Sequence, residues 1–547
     1  MQGFTPSDTK YPASEETDMY RNTNDGQTSI YDFILPFGGH LKEDNRWVQL
    51  RKHINWEIVD EEYQRNFKNK VTGQEAYPSS VAFGSLYIQR RLNLTDRELV
   101  EQIAENPYMQ YFIGYKEYRN ERPFDPSLLV TFRKRLPEEV MSRIIERSFI
   151  ESAKKDNEDE SDDDDDRSSP GSGGGTATGS KEPENKGTLI IDATCAPADI
   201  AFPTDLELCD KARRWTETIL DRYWKLFGSL NERNEKPRTY RETARRRFLK
   251  LNKRRRKSIK KIRKELRYQL GCIRRNLNYI EAYVIEYGLD CLFRVQRERL
   301  LTIVEFYGQQ KEMLDTKTHR IADRIVSLSQ PWVRPIVRGK SKAPTEFGAK
   351  ISVSVVGGYS FIDRLSFDAY NEGEASEFER VVEMYRSRFG HYPERILADK
   401  IYRSKSNRAF CKSHGIRLSG PKLGRPGKNQ AEEIRQELLE LGERNAVEGK
   451  FGNGKRKLGL ALIMAKLQIT TGSMIGMDIF ILNMEKKMRQ STSLVCAFLD
   501  ILMSRLYPCK KKAYSNYDFR MLCGGIGTVQ HALIRRKTSK VNSTTFC

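Results

Sequence analysis

Cysteine is sparse and unpatterned in this chain. The nine cysteines (195, 209, 272, 291, 411, 496, 509, 523 and 547) form no C-x-x-C pair and no even framework. That excludes a disulfide-stapled secreted domain, supports no zinc site and fits a reducing cytosol. Histidine is scarcer still, six in 547 residues. His391 and His414 have no partner at ligand spacing and read as structural. Long apolar runs are missing too. The most apolar stretch, Leu458 to Met484, is broken by Lys466, Gln468 and Asp478. It reads as a buried helix, short of the ~20 apolar residues that cross a bilayer. Residues 1 to 25 are polar and lack the apolar segment of a signal peptide. The expectation is a cytoplasmic protein with no membrane partner.

What the chain has in excess is positive charge. Its 95 Lys and Arg against 74 Asp and Glu leave a net charge of +21 and a pI of 9.4. A surplus of that size points to a polyanion, most simply nucleic acid, with an anionic membrane surface as the bland alternative. Hydrophobic residues make up 38%, enough for real cores, while 31% charged residues and a mean hydropathy of −0.67 require much solvated surface. The length allows about three domains of ordinary size.

Residues 1–28 are polar and read as a flexible N-terminus. Residues 29–150 read as helical. Trp47, Leu50, Ile54 and Ile58 recur at helical spacing, and Thr95-Asp96-Arg97-Glu98 is a capping box. Asp125-Pro126 opens a further helix, Ser127 to Leu136, which ends in Arg133-Lys134-Arg135. Two short helices with a basic second member resemble a helix-turn-helix unit, with Arg133 and Arg135 as DNA contacts. The alternative is a packing domain with a charged outer face. Residues 151–186 read as a disordered acidic linker, because nine of the eleven residues from Asp156 to Asp166 are acidic.

The segments around three carboxylates carry the chemistry. Leu189-Ile190-Ile191-Asp192-Ala193-Thr194 is a short apolar run ending in a lone Asp, as a buried strand delivers a carboxylate to the strand ends of an α/β sheet. Ile396-Leu397-Ala398-Asp399-Lys400 repeats the pattern, and Glu448 follows a predicted helix over 431–442. Between the first two, residues 209–330 lack strand alternation and read as a basic helical insertion. From Arg241 to Arg275 it holds seventeen Lys and Arg against two Glu, and reads as one helix with a thin apolar face. Arg254, Arg255 and Arg256 are its densest cations. Six phosphate contacts there would give a log–log salt slope of about −5; the alternative is a solvated arm against protein. Alternation at Ile351, Val353 and Val355, a turn at Gly357-Gly358, a partner strand to Phe367 and a helix from Glu374 to Phe389 complete a mixed sheet flanked by helices. The α/β core therefore comprises 187–208 and 331–485, and 486–547 is a C-terminal tail with no assigned role.

Two unit charges at 4 Å repel by about 4 kcal/mol at an effective dielectric of 20, so three gathered carboxylates call for cations. The surrounding motifs say which. The segment at 189–194, with Ala198-Asp199-Ile200 and Phe202-Pro203-Thr204-Asp205-Leu206, resembles the first catalytic segment of bacterial insertion-sequence transposases of the DDE type. It is close to the insertion-sequence-five group and its eleven-eighty-two branch. Arg334 to Lys340 and Glu346 to Lys350 resemble the approach to the second strand. Leu397 to Arg403, with His414 to Arg417 and Gly424-Arg425-Pro426, is similar to the second catalytic segment. Arg444, Glu448 and Lys455 match the third motif. One position departs: relatives with the fuller motif carry Tyr three residues before that Arg, and here it is Leu441.

The resemblance implies a ribonuclease-H-like catalytic fold, binding of double-stranded DNA at transposon ends and target, and a homodimer or higher assembly. It implies hydrolysis that frees 3′-hydroxyls, followed by strand transfer, and an enzyme working with two Mg²⁺ or Mn²⁺ ions per active site on Asp192, Asp399 and Glu448. Arg444 and Lys455 would neutralise phosphate, with Lys400 and Arg403 as secondary contacts. Residues 444, 448 and 455 share a helix face, although Gly449, Gly452 and Gly454 predict a break that restarts near Lys455. Trp215 and Trp224 are candidates for base stacking, a core role being the alternative. Two other readings stay open: a metal-dependent nuclease of the same fold that does not join strands, and a catalytically inactive DNA-binding protein.

Overall fold

The computed structural model describes residues 29–35, 38–67, 75–162, 184–228, 235–337, 345–368, 370–421 and 430–506. The polar N-terminus, residues 163–183 of the expected linker, the stretches 338–340 and 422–428, and the basic clusters at 510–512 and 535–537 lie outside the described residues. The chain divides at Met488. Residues up to 488 form one unit, and 489–547 a second that is helical to Leu506.

Seven helices come first: α1 (Arg46–His53), α2 (Trp56–Gln64), α3 (Ser79–Leu92), α4 (Asp96–Glu105), α5 (Pro107–Phe112), α6 (Leu128–Arg135) and α7 (Glu138–Asp162). Thr95 caps α4 by accepting the Glu98 N–H, as its sequence requires. β1 (Thr188–Pro197) opens the sheet, and four helices follow it: α8 (Asp205–Phe227), α9 (Arg241–Asn252), α10 (Ile259–Tyr287) and α11 (Arg294–Asp315). Then come β2 (Arg334–Val337), β3 (Thr345–Val356), β4 (Tyr359–Ser366), α12 (Ala375–Phe389), β5 (Arg395–Leu397), α13 (Lys405–Ser413), β6 (Arg417–Leu418), α14 (Gln430–Lys457) and α15 (Gln468–Leu506). The succession is the expected one with the short strand β2 added.

The sheet runs β4–β3–β1–β5–β6. The β4/β3 and β3/β1 pairs are antiparallel; β1/β5 and β5/β6 are parallel. β2 pairs with the start of β3, ahead of β4 on the same edge. Gly357 and Gly358 close the β3–β4 hairpin at φ of +49° and +69°, which a two-residue turn of this hand demands.

Three local expectations change. The helix α7 continues to Asp162, through the first part of the expected linker. Ile145, Phe149, Ala153 and Asn157 form a buried i, i+4 stripe along it, and that packing outlasts the onset of acidity. Asn157 accepts the Thr188 N–H (3.0 Å) and donates to the Tyr385 hydroxyl (3.1 Å), so the helix is fastened to β1 and α12. Gly187 permits the approach: at φ +74° a Cβ there would lie 1.8 Å from the Asn157 side chain. Second, the basic stretch 241–275 is two helices joined by an exposed turn, because Ala244 and Leu251 on α9 and Leu266 and Leu270 on α10 bury separate faces. Third, α14 is continuous across its glycines. Val447 and Phe451 hold it on the sheet, and a Cβ at Gly454 would press on Leu460 (3.2 Å) and Leu482 (3.5 Å). Packing there outweighs a propensity loss of about 1 kcal/mol per Gly.

The helices of the first 162 residues and the sheet share one core. Phe480 of α15 lies 5.0 Å from the ring of Phe83 on α3 and 5.3 Å from Phe149 on α7. Two buried ion pairs cross it. Arg90 grips Asp478 with two hydrogen bonds of 2.7 and 2.6 Å, both side chains at most 5% exposed. Arg388 of α12 joins Asp363 (2.7 Å) to Glu146 of α7 (2.8 Å). The Asp that interrupts the apolar run is thus explained by a partner 388 residues away. No helix among the described residues is long and apolar enough to cross a membrane.

Removing one member of such a pair leaves a buried charge without compensation, at a cost of about 3–5 kcal/mol. Arg90→Ala is expected to lower stability by that amount in urea denaturation, and Arg90→Met with Asp478→Leu to regain most of it. An Arg90→Ala protein as stable as the wild type would show that this pair does not tie α3 to α15.

Candidate active site

Strand register decides which side chains meet. Ile190 on β1 sits beside Leu397 on β5 in a parallel pair. Two residues further along each chain stand Asp192 and Asp399, at the same edge of the sheet. Asp399 leaves β5 in extended conformation and caps the short turn Lys400–Tyr402, accepting the Lys400 N–H at 2.7 Å. Asp192 accepts the N–H of Ala193 at 2.7 Å. The helix α14 packs against both strands and supplies Arg444 and Glu448 one turn apart.

Arg444 is the hub of the cluster. Its guanidinium donates to Glu448 (3.3 Å) and lies 3.9 Å from Asp399, while only 17% of its side chain is exposed. Asp399 and Glu448 are more than half exposed. Asp192 is half-buried, and burial pushes its carboxyl above the usual range. The Asp399 and Glu448 charges push the same way, while the Ala193 amide and Arg444 oppose them. Three carboxylates therefore feel one another across a single cation.

The donor set is all carboxylate oxygen, the chemistry that suits Mg²⁺ or Mn²⁺. In their present positions no three His, Cys, Asp or Glu among the described residues close around one ion. The positive charge between Asp399 and Glu448 is the guanidinium of Arg444. The residues fit a hard divalent cation in kind, and Arg444 stands where such a cation would compete with it.

A cavity of about 520 Å³ opens beside Asp192 and Asp399. Its far wall carries Lys350, Tyr370 and Glu372, which sequence reasoning missed. Lys350 pairs with Glu372, donates to the Tyr370 carbonyl (2.7 Å) and lies 4.6 Å from the Tyr370 ring centre. The Tyr370 hydroxyl is 2.6 Å from Ser352 Oγ. The polar positions 350 and 352 of an otherwise apolar alternating strand were the signal for half of this group. Glu372 lies in an irregular turn that no periodicity marks.

The other expected contacts fare differently. Lys400 is exposed beside Asp399, and Arg403 turns to the Pro421 carbonyl (2.5 Å). Lys455 is half-buried on α14, seven residues beyond Glu448. Arg254, Arg255 and Arg256 form the exposed turn between α9 and α10. Arg133 is buried, bound to Asp96 and Gln89 (2.8 Å). Arg135 donates to the Tyr63 hydroxyl (3.2 Å) and covers the Phe67 ring at 4.7 Å. Arg133 is spent inside the helical layer, which corrects its expected place at the surface, while Arg135 stays partly exposed. Trp215 is half-buried with Lys211 and Arg299 on its ring, so a stacking base would have to displace a cation. Trp224 is half-buried and lies across Gly228, where a Cβ would meet its ring at 2.7 Å.

Comparison with known proteins gives four findings. Residues 396–485 match the family described as a transposase DDE domain, a span that takes in Asp399 and Glu448. Residues 36–135 match a second family, described as a transposase domain (DUF772). A protein of Rhizobium meliloti named "Uncharacterized protein ORF8 in nfe locus" is 28% identical over 165 residues, covering 30% of this chain and 68% of its own length. No solved structure matches.

Arg444→Ala would leave the carboxylates facing one another without a cation. Partly exposed pairs contribute about 1 kcal/mol at most, so the melting temperature in EDTA is expected to fall by about 2 °C. Mg²⁺ should restore it, by more than it raises the wild type. Equal responses to Mg²⁺ in both proteins would remove Arg444 from its place as the carboxylates' counter-ion.

Proposed function

This chain belongs to the DDE transposases of insertion sequences, and from that premise we propose that it binds the ends of its own element, hydrolyses phosphodiester bonds there and joins the freed 3′-hydroxyls to target DNA. The observation that carries the proposal is the convergence of Asp192, Asp399 and Glu448, from two parallel strands and a helix, around Arg444. The strand order β4–β3–β1–β5–β6 supports a ribonuclease-H-like catalytic fold.

Asp192, Asp399 and Glu448 would hold the divalent ions, two per site. Bound there, Mg²⁺ or Mn²⁺ supplies activation of the attacking oxygen and charge stabilisation at the leaving oxygen. The chain's own residues prepare that chemistry. Asp399 is fixed by the turn it caps, and Asp192 by its amide contact and the strand beneath it. Arg444 keeps the carboxylates together until DNA brings phosphate, which then draws the guanidinium and orients the scissile bond. Lys400, on the open side of Asp399, and Lys455, further along α14, take flanking phosphates. The exposed turn at Arg254 to Arg256 grips duplex away from the cut. Holding two ends at once calls for at least a dimer.

Asp399→Asn is expected to reduce Mg²⁺-dependent cleavage of an end-bearing duplex by more than about 100-fold, since even outer-shell changes at metal sites cost 10–100-fold. Binding of that duplex should persist. Cleavage at the wild-type rate would refute the site, and a pre-cleaved end that is never joined to target DNA would reduce the activity to nuclease.

A further inference from the structure

A second group of cations gathers away from the carboxylates. Trp215 on α8 carries Lys211, one turn earlier on the same helix, with its Nζ 5.1 Å from the ring centre. Arg299 arrives from α11 with its guanidinium carbon 4.3 Å from that centre. Arg214 stands beside them, 3.0 Å from Asp210, a carboxylate already bound to the buried Arg213 at 2.5 Å. Lys466, exposed on the segment after α14, acts on Lys211 through its charge. That segment is tied to the exit of β1: Ile463 donates to the Pro197 carbonyl (2.8 Å) and accepts from the Asp199 N–H (3.1 Å).

Three stretches of chain thus bring like charges to one place. Among the described residues, none of Lys211, Arg299 and Lys466 has a carboxylate within salt-bridge distance. Burial pushes the Lys211 ammonium down from its ordinary range, and the charges of Arg299, Arg214 and Lys466 push it further. Packing on an indole and a strand-like anchor hold the cations together; repulsion works against it. Such an arrangement is built for an anion that arrives from outside.

We propose that Lys211, Arg214, Arg299 and Lys466 form a phosphate-binding site for the DNA backbone, at the junction of the insertion helices with the exit of β1. The proposal rests on the DNA-cleaving reading above. Pro197, where the Lys466 segment is anchored, is five residues along β1 from Asp192, about 17 Å at strand spacing. That span is about five base-pair rises, so a duplex lying over the carboxylates presents further phosphates on this side. Trp215 serves as the platform that spaces the cations, not as the surface for a base.

The test is anisotropy of a short fluorescein-labelled duplex titrated with the full chain at several NaCl concentrations. Each of Lys211→Gln, Arg299→Gln and Lys466→Gln is expected to reduce the log–log salt slope by about 0.9, and to weaken binding about eightfold at about 0.1 M salt. Arg299→Lys, which keeps the charge, should leave the slope unchanged. Lys466 is exposed, so Lys466→Gln alone decides the matter if a Lys211 variant misfolds. A triple variant with the wild-type slope, beside an Arg254→Gln, Arg255→Gln, Arg256→Gln variant with a reduced one, would overturn this site and leave the DNA reading standing. A wild-type protein with no salt-dependent duplex binding would overturn both.

Discussion

Ile190 and Leu397 face each other across two parallel strands, and two residues further along each strand lies a carboxylate. This one register fixes the rest of the carboxylate cluster. Parallel pairing keeps side-chain period in phase, so a slip of one residue would send Asp192 and Asp399 to opposite faces. Parallel strands also need long crossovers, and the chain between them here is the four-helix insertion, the β3–β4 hairpin and α12. The carboxylates cannot be left as they are once adjacent. Arg444 answers that within the protein, from a helix that must cross β1 and β5 at the height of the two aspartates.

The same logic of internal compensation runs through the helical layer. Asp478 and Asp96 are each matched by an arginine from another helix, and Asp363 of β4 is matched by Arg388 of α12. Because Phe480 packs on both Phe83 and Phe149, the amino-terminal helices and the sheet form one cooperative body rather than a reader and a cutter joined by a tether. The fastening of Asn157 to Thr188 and Tyr385 extends that body to the lip of the acidic run.

The sequence made much of this visible, and its failures are physical. Ile190 to Asp192 and Leu397 to Asp399 were legible because an apolar run ending in a carboxylate leaves few alternatives. The helix carrying Glu448 was legible in type but not in length. Helix propensity is local, whereas Gly454 is tolerated by Leu460 and Leu482, which meet it only in three dimensions. Arg133 reads as a surface cation from its neighbours Lys134 and Arg135, yet Asp96 lies 37 residues away and captures it. Lys350 and Glu372 meet across an irregular turn, so no spacing rule could join them. Ion pairs of long sequence separation are the features that patterns of period two or 3.6 do not encode.

That distinction reorders the chain's positive charge. A net charge of +21 says that cations outnumber partners but not where. The arginines at 90, 133, 213 and 388 are the ones the fold consumes: each is buried and bound to carboxylate. The cations at 254–256 and 400 are exposed, and those at 211, 299 and 466 have no carboxylate in salt-bridge reach among the described residues. The insertion that follows β1 holds five of these seven, two on its helices and three in the turn between α9 and α10, while Lys400 follows β5 and Lys466 follows α14. These seven cations therefore sit on segments that follow the strands and the helix bearing the three carboxylates. Positive charge that the fold leaves without a carboxylate partner is what draws a polyanion to a protein surface.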